Sequence, residues 1–355
     1  MSDLKLSASL YQRFLVCPQS ASFSVDPKFK VLNKRSLRAA LGIISHKLVE
    51  KSVRIPQEWS KEELSTWFES NWKELVEMQY SELKQQWFPN VVPKPQSWRG
   101  YFATYASAKT LVVKNSGLLP PKSLISQESS LESHEGKGYV MPLIERYLIS
   151  EKYKIVGKPD YVFLENNQAT IVDYKFGNSQ DDLDKHKVQM IFYKLLVEDV
   201  VKIKVGKLSI VASENRTWEI VFKDSELKYL EKDIPRVLEA ISSSKVAAIP
   251  SLQNCRFCPY KSVCEPFKKA NIELHPNRPI AISGEVTQIR KVSPDSQELV
   301  LKPSVGPKGD ELKIFGIPSG YEINVGDSVF LSDNLDFMDE RLIGFAWDSR
   351  ISIQG

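Results

Sequence analysis

The stretch YKIVGKPDYVFLENNQATIVDYK, residues 153–175, decides the fold of this chain. Its β-branched and aromatic residues predict two strands, at 153–164 and 169–175, and the Asn-Asn pair between them is typical of a hairpin turn. Asp160 and Asp173 each follow a run of such residues. Because the strands of a hairpin are neighbours, we expect the two carboxylates to face one cavity.

Helical patterns flank this hairpin on both sides. Apolar residues recur at helical spacing before and after it, and shorter β-branched runs lie among them. Helices are predicted at 36–50, 60–78, 183–200 and 225–243, and further strands at 122–131, 204–212 and 217–221. Strands bracketed by helices predict an α/β core.

The chain after Pro279 has a different pattern, with short alternating strands separated by turn residues. These strands are predicted at 280–292, 298–302, 311–315, 328–332 and 342–347. Such spacing predicts a small all-β domain, an OB-like barrel or a sandwich. Its basic and aromatic residues suit guidance of a nucleic-acid strand, whereas acids near its end would repel phosphates and favour docking of a protein partner. Both readings stay open.

Composition excludes several classes of protein. The 355 residues carry a formal net charge of only +4, so a nucleic-acid partner would need a localised basic groove. No apolar run is long enough to span a membrane, and the first residues lack the apolar core of a signal peptide. We therefore expect a cytoplasmic protein with no membrane partner. The sequence has no Walker A motif, so the chain carries no motor of its own.

Two carboxylates and a lysine at the ends of neighbouring strands suit phosphodiester hydrolysis. Asp160 and Asp173 offer the oxygen ligands that Mg²⁺ or Mn²⁺ prefers, and the main-chain carbonyl of Tyr174 could add another. Lys175, two residues beyond Asp173, lies on the same strand face and could orient a water molecule or neutralise developing charge. Taken alone, this short motif more often marks a solvated strand end.

Further polar residues could complete the site. His46 shares a helix face with Gly42 and Glu50, and its imidazole beside two carboxylates would form a mixed site that Mn²⁺ accepts. Gln189 and Tyr193 lie one turn apart on the helix after the hairpin and could hold a phosphate or a metal-bound water. The alternative for that pair is the boundary face of an amphipathic helix.

The cysteines are arranged as one distant residue and three clustered ones, Cys17 and then CRFCPYKSVC at residues 255–264. A secreted disulfide scaffold would be shorter and richer in cysteine. Four thiolates that converge predict a structural metal centre. Zinc is one occupant, although zinc sites more often use two pairs of cysteines.

Taken in their order along the chain, from Cys17 through the hairpin acids to the three clustered cysteines, these motifs resemble the iron–sulfur branch of the RecB/AddB-type PD-(D/E)XK nucleases. That branch includes small CRISPR-adaptation exonucleases. The resemblance implies a restriction-endonuclease-like core closed by a [4Fe–4S] cluster, with Zn²⁺ as the alternative. The implied cluster ligands are Cys17, Cys255, Cys258 and Cys264. The implied ligands of Mg²⁺ or Mn²⁺ are His46, Asp160, Asp173 and the Tyr174 carbonyl, with Lys175 catalytic and Gln189 and Tyr193 in support. Glu128, in the strand before the hairpin, could help to position the site, with the neighbouring Glu132 as the alternative.

The resemblance covers about residues 4–270 and implies two domains. We predict a nuclease domain at 1–275, with a helical insertion at about 55–120, and a β domain at 279–355 that the smallest family members lack. The expected function is a Mg²⁺- or Mn²⁺-dependent deoxyribonuclease that acts on single strands or free ends in DNA repair, recombination or defence. The alternatives are a non-catalytic DNA-binding or assembly subunit and a nuclease directed at RNA.

Overall fold

The computed structural model describes residues 4–52, 54–56, 58–87, 92–116, 139, 141–175, 183–212, 217–274, 280–305, 311–338, 341–346 and 348–354. The chain forms two compact units, each assembled from three separate segments. The first unit contains residues 1–12, 37–79 and 98–243, and the second contains 13–36, 80–97 and 244–355. The predicted strand at 122–131, with Glu128 on it, lies outside the described residues.

The helices and strands follow the order that the sequence predicts, with α/β elements first and strands last. The helices are α1 Ala8–Val16, α2 Pro18–Val25, α3 Leu37–Ser52, α4 Lys61–Gln86, α5 Tyr101–Asn115, α6 Leu183–Val200, α7 Asp224–Ser243, α8 Leu252–Cys255 and α9 Glu265–Leu274. The strands are β1 Leu6–Ser7, β2 Leu143–Ile144, β3 Leu148–Ser150, β4 Ile155–Gly157, β5 Tyr161–Glu165, β6 Gln168–Lys175, β7 Val205–Ala212, β8 Thr217–Glu219, β9 Ala281–Ser293, β10 Ser296–Val305, β11 Leu312–Pro318, β12 Ser328–Ser332, β13 Leu335–Phe337, β14 Leu342–Phe345 and β15 Arg350–Gln354.

The predicted hairpin is formed by β5 and β6, which pair antiparallel with Tyr161 opposite Val172. Asn166 and Asn167 form its turn with φ of 51° and 61°, the left-handed conformation that a two-residue hairpin turn requires. The prediction of one strand over 153–164 is wrong. That segment divides into β4 and β5, because Pro159 has no amide hydrogen to donate and restricts the residue before it.

A five-stranded sheet in the order β2-β5-β6-β7-β8 forms the centre of the first unit. Strands β6 and β7 run parallel, and α6 makes the crossover between them. On one face of the sheet, Tyr161, Val172, Tyr174 and Val211 pack in a buried cluster with Val49 of α3 and Leu111 of α5. Because side chains alternate along a strand, Asp173 and Lys175 of β6 point to the opposite face from Tyr174.

The second unit contains a curled seven-stranded half-barrel in the order β13-β14-β11-β10-β9-β12-β15. Twelve buried apolar residues fill its interior, among them Val286, Leu301 and Phe345. The predicted small all-β fold at the end of the chain is therefore confirmed. The sequence analysis missed β13 and β15. Strand β13, Leu335–Phe337, has too few residues to show an alternating pattern, whereas β15, Arg350–Gln354, is as long as the predicted strand at 328–332.

Among the helices that the structure describes, none is long and apolar enough to cross a lipid bilayer.

Candidate metal centre and cysteine site

Asp173 lies near the end of β6 with only 1% of its surface exposed. One carboxylate oxygen, Oδ1, accepts a hydrogen bond of 3.1 Å from Gln189 Nε2. The other, Oδ2, lies 2.6 Å from Lys175 Nζ as an ion pair but accepts no well-aligned hydrogen bond. Buried carboxylate oxygens normally have all their lone pairs occupied, so Oδ2 retains capacity for a cation.

Asp160 lies in the loop that precedes β5 and faces the same region. Its Oδ2 accepts a hydrogen bond of 2.8 Å from the backbone N–H of Tyr174 and lies 3.4 Å from His46 Nδ1. The hydrogen bond fixes the backbone at Tyr174, whose carbonyl is a predicted ligand. Helix α3 and the loop before β5 thus bring His46 and Asp160 together. Asp173, at the end of β6, lies near enough for its charge to act on His46 but outside the group of ligand atoms within 4.8 Å of one another.

Glu145 is a site residue that the sequence analysis missed. One ligand atom from each of His46, Glu145 and Asp160 lies within 4.8 Å of the other two. The Glu145 carboxylate pairs with Lys158, and its backbone N–H donates to Asp160 O at 2.9 Å. The only sequence signal is an acid directly after the apolar pair Leu143-Ile144, which is too common a pattern to single out a ligand.

Gln189 and Tyr193 of α6 also reach the site. Gln189 Nε2 lies 3.0 Å from the Tyr193 hydroxyl, and Gln189 Oε1 accepts a hydrogen bond of 3.1 Å from Lys175 Nζ. The Tyr193 ring packs directly on Gly157, where an added Cβ would lie 3.0 Å from Tyr193 Cε1. Gln189 therefore links the acid and the lysine of β6, and the missing side chain at Gly157 leaves room for Tyr193.

The electrostatics of the site favour a bound cation. Burial and the charge of Asp160 raise the pKa of Asp173 to about 6. Burial lowers the pKa of His46, but the hydrogen bond and charge of Asp160 outweigh it, so that this pKa is raised overall. Burial and Glu145 also raise the pKa of Glu50. Crowded carboxylates of this kind repel each other until protons or a metal ion neutralise them.

The donors fit a hard divalent cation. Two or three carboxylates and one imidazole form a mixed oxygen and nitrogen set that suits Mg²⁺ or Mn²⁺. Lys175 would stand beside such an ion, and its ammonium group, held by Asp173 and Gln189, would place a positive charge next to a bound phosphate. Of the predicted set, only Glu128 cannot be placed, because it lies outside the described residues.

The four cysteines line one small cavity of about 20 Å³ in the second unit. All four are free thiols. The backbone N–H of Ile249 donates to Cys17 Sγ at 3.5 Å, and Cys258 Sγ lies 3.8 Å from Ser20 Oγ. Burial raises the pKa of Cys264 to about 11 and also raises the pKa of Cys255, so these two thiols stay protonated unless a metal compensates the charge of the thiolates.

The thiols are spread more widely than a single zinc ion requires. Zn–S bonds of about 2.3 Å in a tetrahedron place the sulfur atoms roughly 3.8 Å apart. Among the described residues, no three cysteines bring their sulfur atoms within 4.8 Å of one another. The hydroxyl of Tyr260, which also lines the cavity, is buried without a hydrogen-bond partner.

A buried lysine holds the backbone of the cysteine loop. Lys261 is 1% exposed, and its ammonium donates to the carbonyls of Cys255 at 3.1 Å and Cys258 at 2.9 Å. Its charge is paired with Asp333, in the turn between β12 and β13. Asp333 Oδ2 also lies 2.8 Å from Arg350 Nε. The half-barrel thus supplies the counter-ion of the lysine that shapes the cysteine loop.

Replacing Asp333 by Asn is expected to destabilise the protein by about 3–5 kcal/mol, because it leaves the Lys261 ammonium buried and unpaired. Urea unfolding followed by circular dichroism measures the change. The matched control is Arg290→Gln, which breaks the exposed Arg290–Glu298 pair of the same sheet and should cost less than about 1 kcal/mol. Equal losses in the free energy of unfolding would show that the buried Lys261–Asp333 pair stabilises the protein no more than an exposed ion pair does.

A family model described as the PD-(D/E)XK nuclease superfamily matches residues 5–265. A solved structure from Eubacterium rectale, described as a candidate exonuclease, is similar over 76% of this chain and 88% of that chain, with 12% sequence identity and a TM-score of 0.40. A second structure, SSO0001, shares 20% identity over 48% of this chain and 81% of that chain, with a TM-score of 0.24. No curated protein sequence matches the chain.

Proposed function

The chain belongs to the PD-(D/E)XK nuclease superfamily, and on that basis we propose that it is a metal-dependent deoxyribonuclease that cuts single-stranded or end-bearing DNA. One observation carries the proposal. One ligand atom from each of His46, Glu145 and Asp160 lies within 4.8 Å of the other two, and the buried Asp173, paired with Lys175, is close enough for the charges of Asp160 and His46 to act on it.

When bound, Mg²⁺ or Mn²⁺ would supply the polarisation of a phosphoryl oxygen and the activation of water that phosphodiester hydrolysis needs. His46, Asp160 and Asp173 would hold the ion, with the Tyr174 carbonyl and Glu145 as further oxygen donors. Lys175 would stabilise the negative charge that develops on the phosphate. Gln189 keeps Asp173 and Lys175 at a fixed separation through its two hydrogen bonds, and Tyr193 holds the amide of Gln189 in place.

Metal affinity should depend on pH. Protons compete with the metal for Asp173, whose pKa is raised to about 6, and for His46, whose pKa is also raised. Both groups must lose their protons to bind a cation, so Mn²⁺ affinity should fall by at least about tenfold between pH 7 and pH 5. Titration of the metal-free protein with Mn²⁺, followed by electron paramagnetic resonance, tests this. An affinity that is constant over that range would contradict the proposed ligand set.

Preference for free ends is the part of the proposal that separates an exonuclease from an endonuclease. Linear and circular forms of the same single-stranded DNA should be compared, with the label at either the 5′ or the 3′ end of the linear form. An exonuclease degrades the linear form and leaves the circle intact. Cutting of the circle would support a metal-dependent nuclease but would contradict the proposed preference for free ends. Repair, recombination and defence are all processes that use such an activity.

For the cysteine site we propose a [4Fe–4S] cluster with a structural role. The arrangement of one distant and three clustered cysteines supports it, as does the fact that all four line one cavity. Zinc is the alternative occupant. Iron, sulfide and zinc contents of anaerobically purified protein distinguish the two.

The half-barrel is proposed to guide a DNA strand or to dock a protein partner. The division into a nuclease domain at 1–275 and a β domain at 279–355 is likewise a proposal. Through the Lys261–Asp333 ion pair, the half-barrel also contacts the cysteine loop. Removal of the half-barrel should therefore destabilise the cysteine loop as well as weaken binding of a partner.

A further inference from the structure

A cavity of about 300 Å³ lies in the first unit where α3 ends and α4 begins. That volume is at the lower end of the range of ligand pockets. We name it the α3–α4 pocket, and its main lining residues are Glu50, Lys51, Arg54, Trp59, Trp67 and Asn71. The proposed hydrolysis mechanism uses none of them.

The pocket presents aromatic faces together with unused hydrogen-bond donors. Trp59 is 36% exposed and Trp67 is half-buried. In the part of the chain that the structure describes, neither indole N–H makes a hydrogen bond, and the Arg54 guanidinium makes neither a hydrogen bond nor a close ion pair. Flat apolar rings beside a cation are the features that bind the bases and phosphates of single-stranded nucleic acids.

One wall of the pocket is held rigid. Asn71 Oδ1 accepts a hydrogen bond of 2.9 Å from Lys51 Nζ, and Asn71 Nδ2 donates to the carbonyl of Trp67 at 2.9 Å. These bonds tie the end of α3 to the first turns of α4. A wall that is fixed before the ligand arrives loses less entropy on binding.

The pocket adjoins the candidate metal centre through Glu50. This residue lines the pocket, and it lies one helical turn after His46 on α3. Its carboxyl group also contacts Glu145, which belongs to the metal-ligating group. Arg54 lies two residues beyond the end of α3, so the pocket begins about one helical turn from His46, at Glu50, and extends past the end of the helix.

From this placement, we propose that the α3–α4 pocket binds a nucleotide of single-stranded DNA close to the scissile phosphate, with its base against Trp59 and Trp67 and its phosphate held by Arg54. The inference rests on the proposed nuclease function and adds a substrate subsite to it. Bases stacked inside a duplex do not expose their faces, so the pocket would favour single strands over duplexes.

The test measures affinity apart from cutting. Full-length protein that carries Asp173→Asn is titrated, in EDTA, against a fluorescein-labelled single-stranded oligonucleotide, and binding is followed by anisotropy. Adding Trp59→Ala should weaken binding by about tenfold, the typical effect of losing one stacked base, and Trp59→Phe should restore most of it. Adding Arg54→Gln should weaken binding and reduce its dependence on salt.

Two matched controls come from the same unit. Phe102, an aromatic side chain that is 69% exposed on α5, and Lys114, an exposed cation on the same helix, do not line the pocket. Phe102→Ala and Lys114→Gln should leave the affinity within about twofold. Circular dichroism of each variant checks that it is folded.

The outcomes separate this inference from the function on which it rests. If protein with Asp173 intact cuts DNA but Trp59→Ala and Arg54→Gln change neither affinity nor KM, the pocket is not a nucleotide subsite and the nuclease stands. If binding depends on Trp59 and Arg54 but no metal supports cutting, the subsite stands and the proposed hydrolysis fails. Equal losses with the control variants would also overturn the inference.

Discussion

Replacing Asp173 by Asn is expected to slow DNA cleavage by about a thousandfold or more, since one group that stabilises transition-state charge already contributes on that order. The substitution removes a negative oxygen from the metal centre but keeps the shape of the side chain and an acceptor for Gln189. Lys175 would lose its ion-pair partner and with it a fixed position. Cleavage rates of labelled single-stranded DNA at saturating Mn²⁺ measure the effect.

The same substitution should not destabilise the folded protein, although it slows cleavage. The pKa of Asp173 is raised from 3.8 to about 6, so the ionised carboxylate is disfavoured in the folded protein. At pH 7 the group is charged in both the folded and the unfolded state, and its burial costs on the order of 3 kcal/mol. The cost is absent below pH 3.8, where both states are protonated, and grows as pH rises towards 6. Metal-free Asp173→Asn protein should therefore be at least as stable as the unchanged protein at pH 7.

The control for this pair of measurements is Asp199→Asn. Asp199 is a half-buried acid of α6 that accepts a hydrogen bond of 2.5 Å from Ser150, away from the metal centre. Its substitution should leave cleavage unchanged and lower stability slightly. If Asp173→Asn lost activity only because it unfolded, or kept its activity, Asp173 would not be a metal ligand.

The second large effect is expected from Cys255→Ala, which should give a colourless protein that is less stable by on the order of 5 kcal/mol or more, because structural metal centres contribute folding energy directly. Cys255 is buried and packs with Phe267, Ala281 and Phe330. Loss of one ligand should therefore loosen both the cysteine loop and the strands beside it. Visible absorption, iron and sulfide contents, and the thermal midpoint are the three measurements.

Two comparisons separate the metal from simple packing. Phe257→Ala alters the exposed residue between Cys255 and Cys258 and should keep the absorption band and the thermal midpoint. Unchanged protein that a chelator has stripped of metal should fall to nearly the stability of the Cys255→Ala variant. A Cys255→Ala protein with full stability and no metal would contradict the structural role.

Much of the fold could be predicted because its signals are local. The β5–β6 hairpin depends on two alternating runs and an Asn-Asn turn, and α3 depends on apolar residues at helical spacing. Asp173 and Lys175 could be placed on one face because strand geometry fixes the directions of residues two apart. These features need no knowledge of distant contacts.

Other features depend on contacts that local patterns do not encode. Glu145 joins His46 and Asp160 only through the pairing of β2 with β5, and its own neighbourhood carries no distinctive motif. Asp333 pairs with Lys261 across 72 positions of sequence, so neither residue indicates the other. The division of the region before β5 into β4 and a loop follows from Pro159, a signal that was present in the sequence but outweighed by the apolar run around it.

Cleavage of end-labelled DNA by anaerobically purified protein tests the central claim most directly. Single-stranded and duplex DNA would each be incubated with Mn²⁺, with Mg²⁺ and with EDTA. The account predicts cutting of the single strand with either metal, none in EDTA, and none by the Asp173→Asn variant. Tight binding of DNA without cutting under any metal would contradict it and would identify the chain as a DNA-binding subunit.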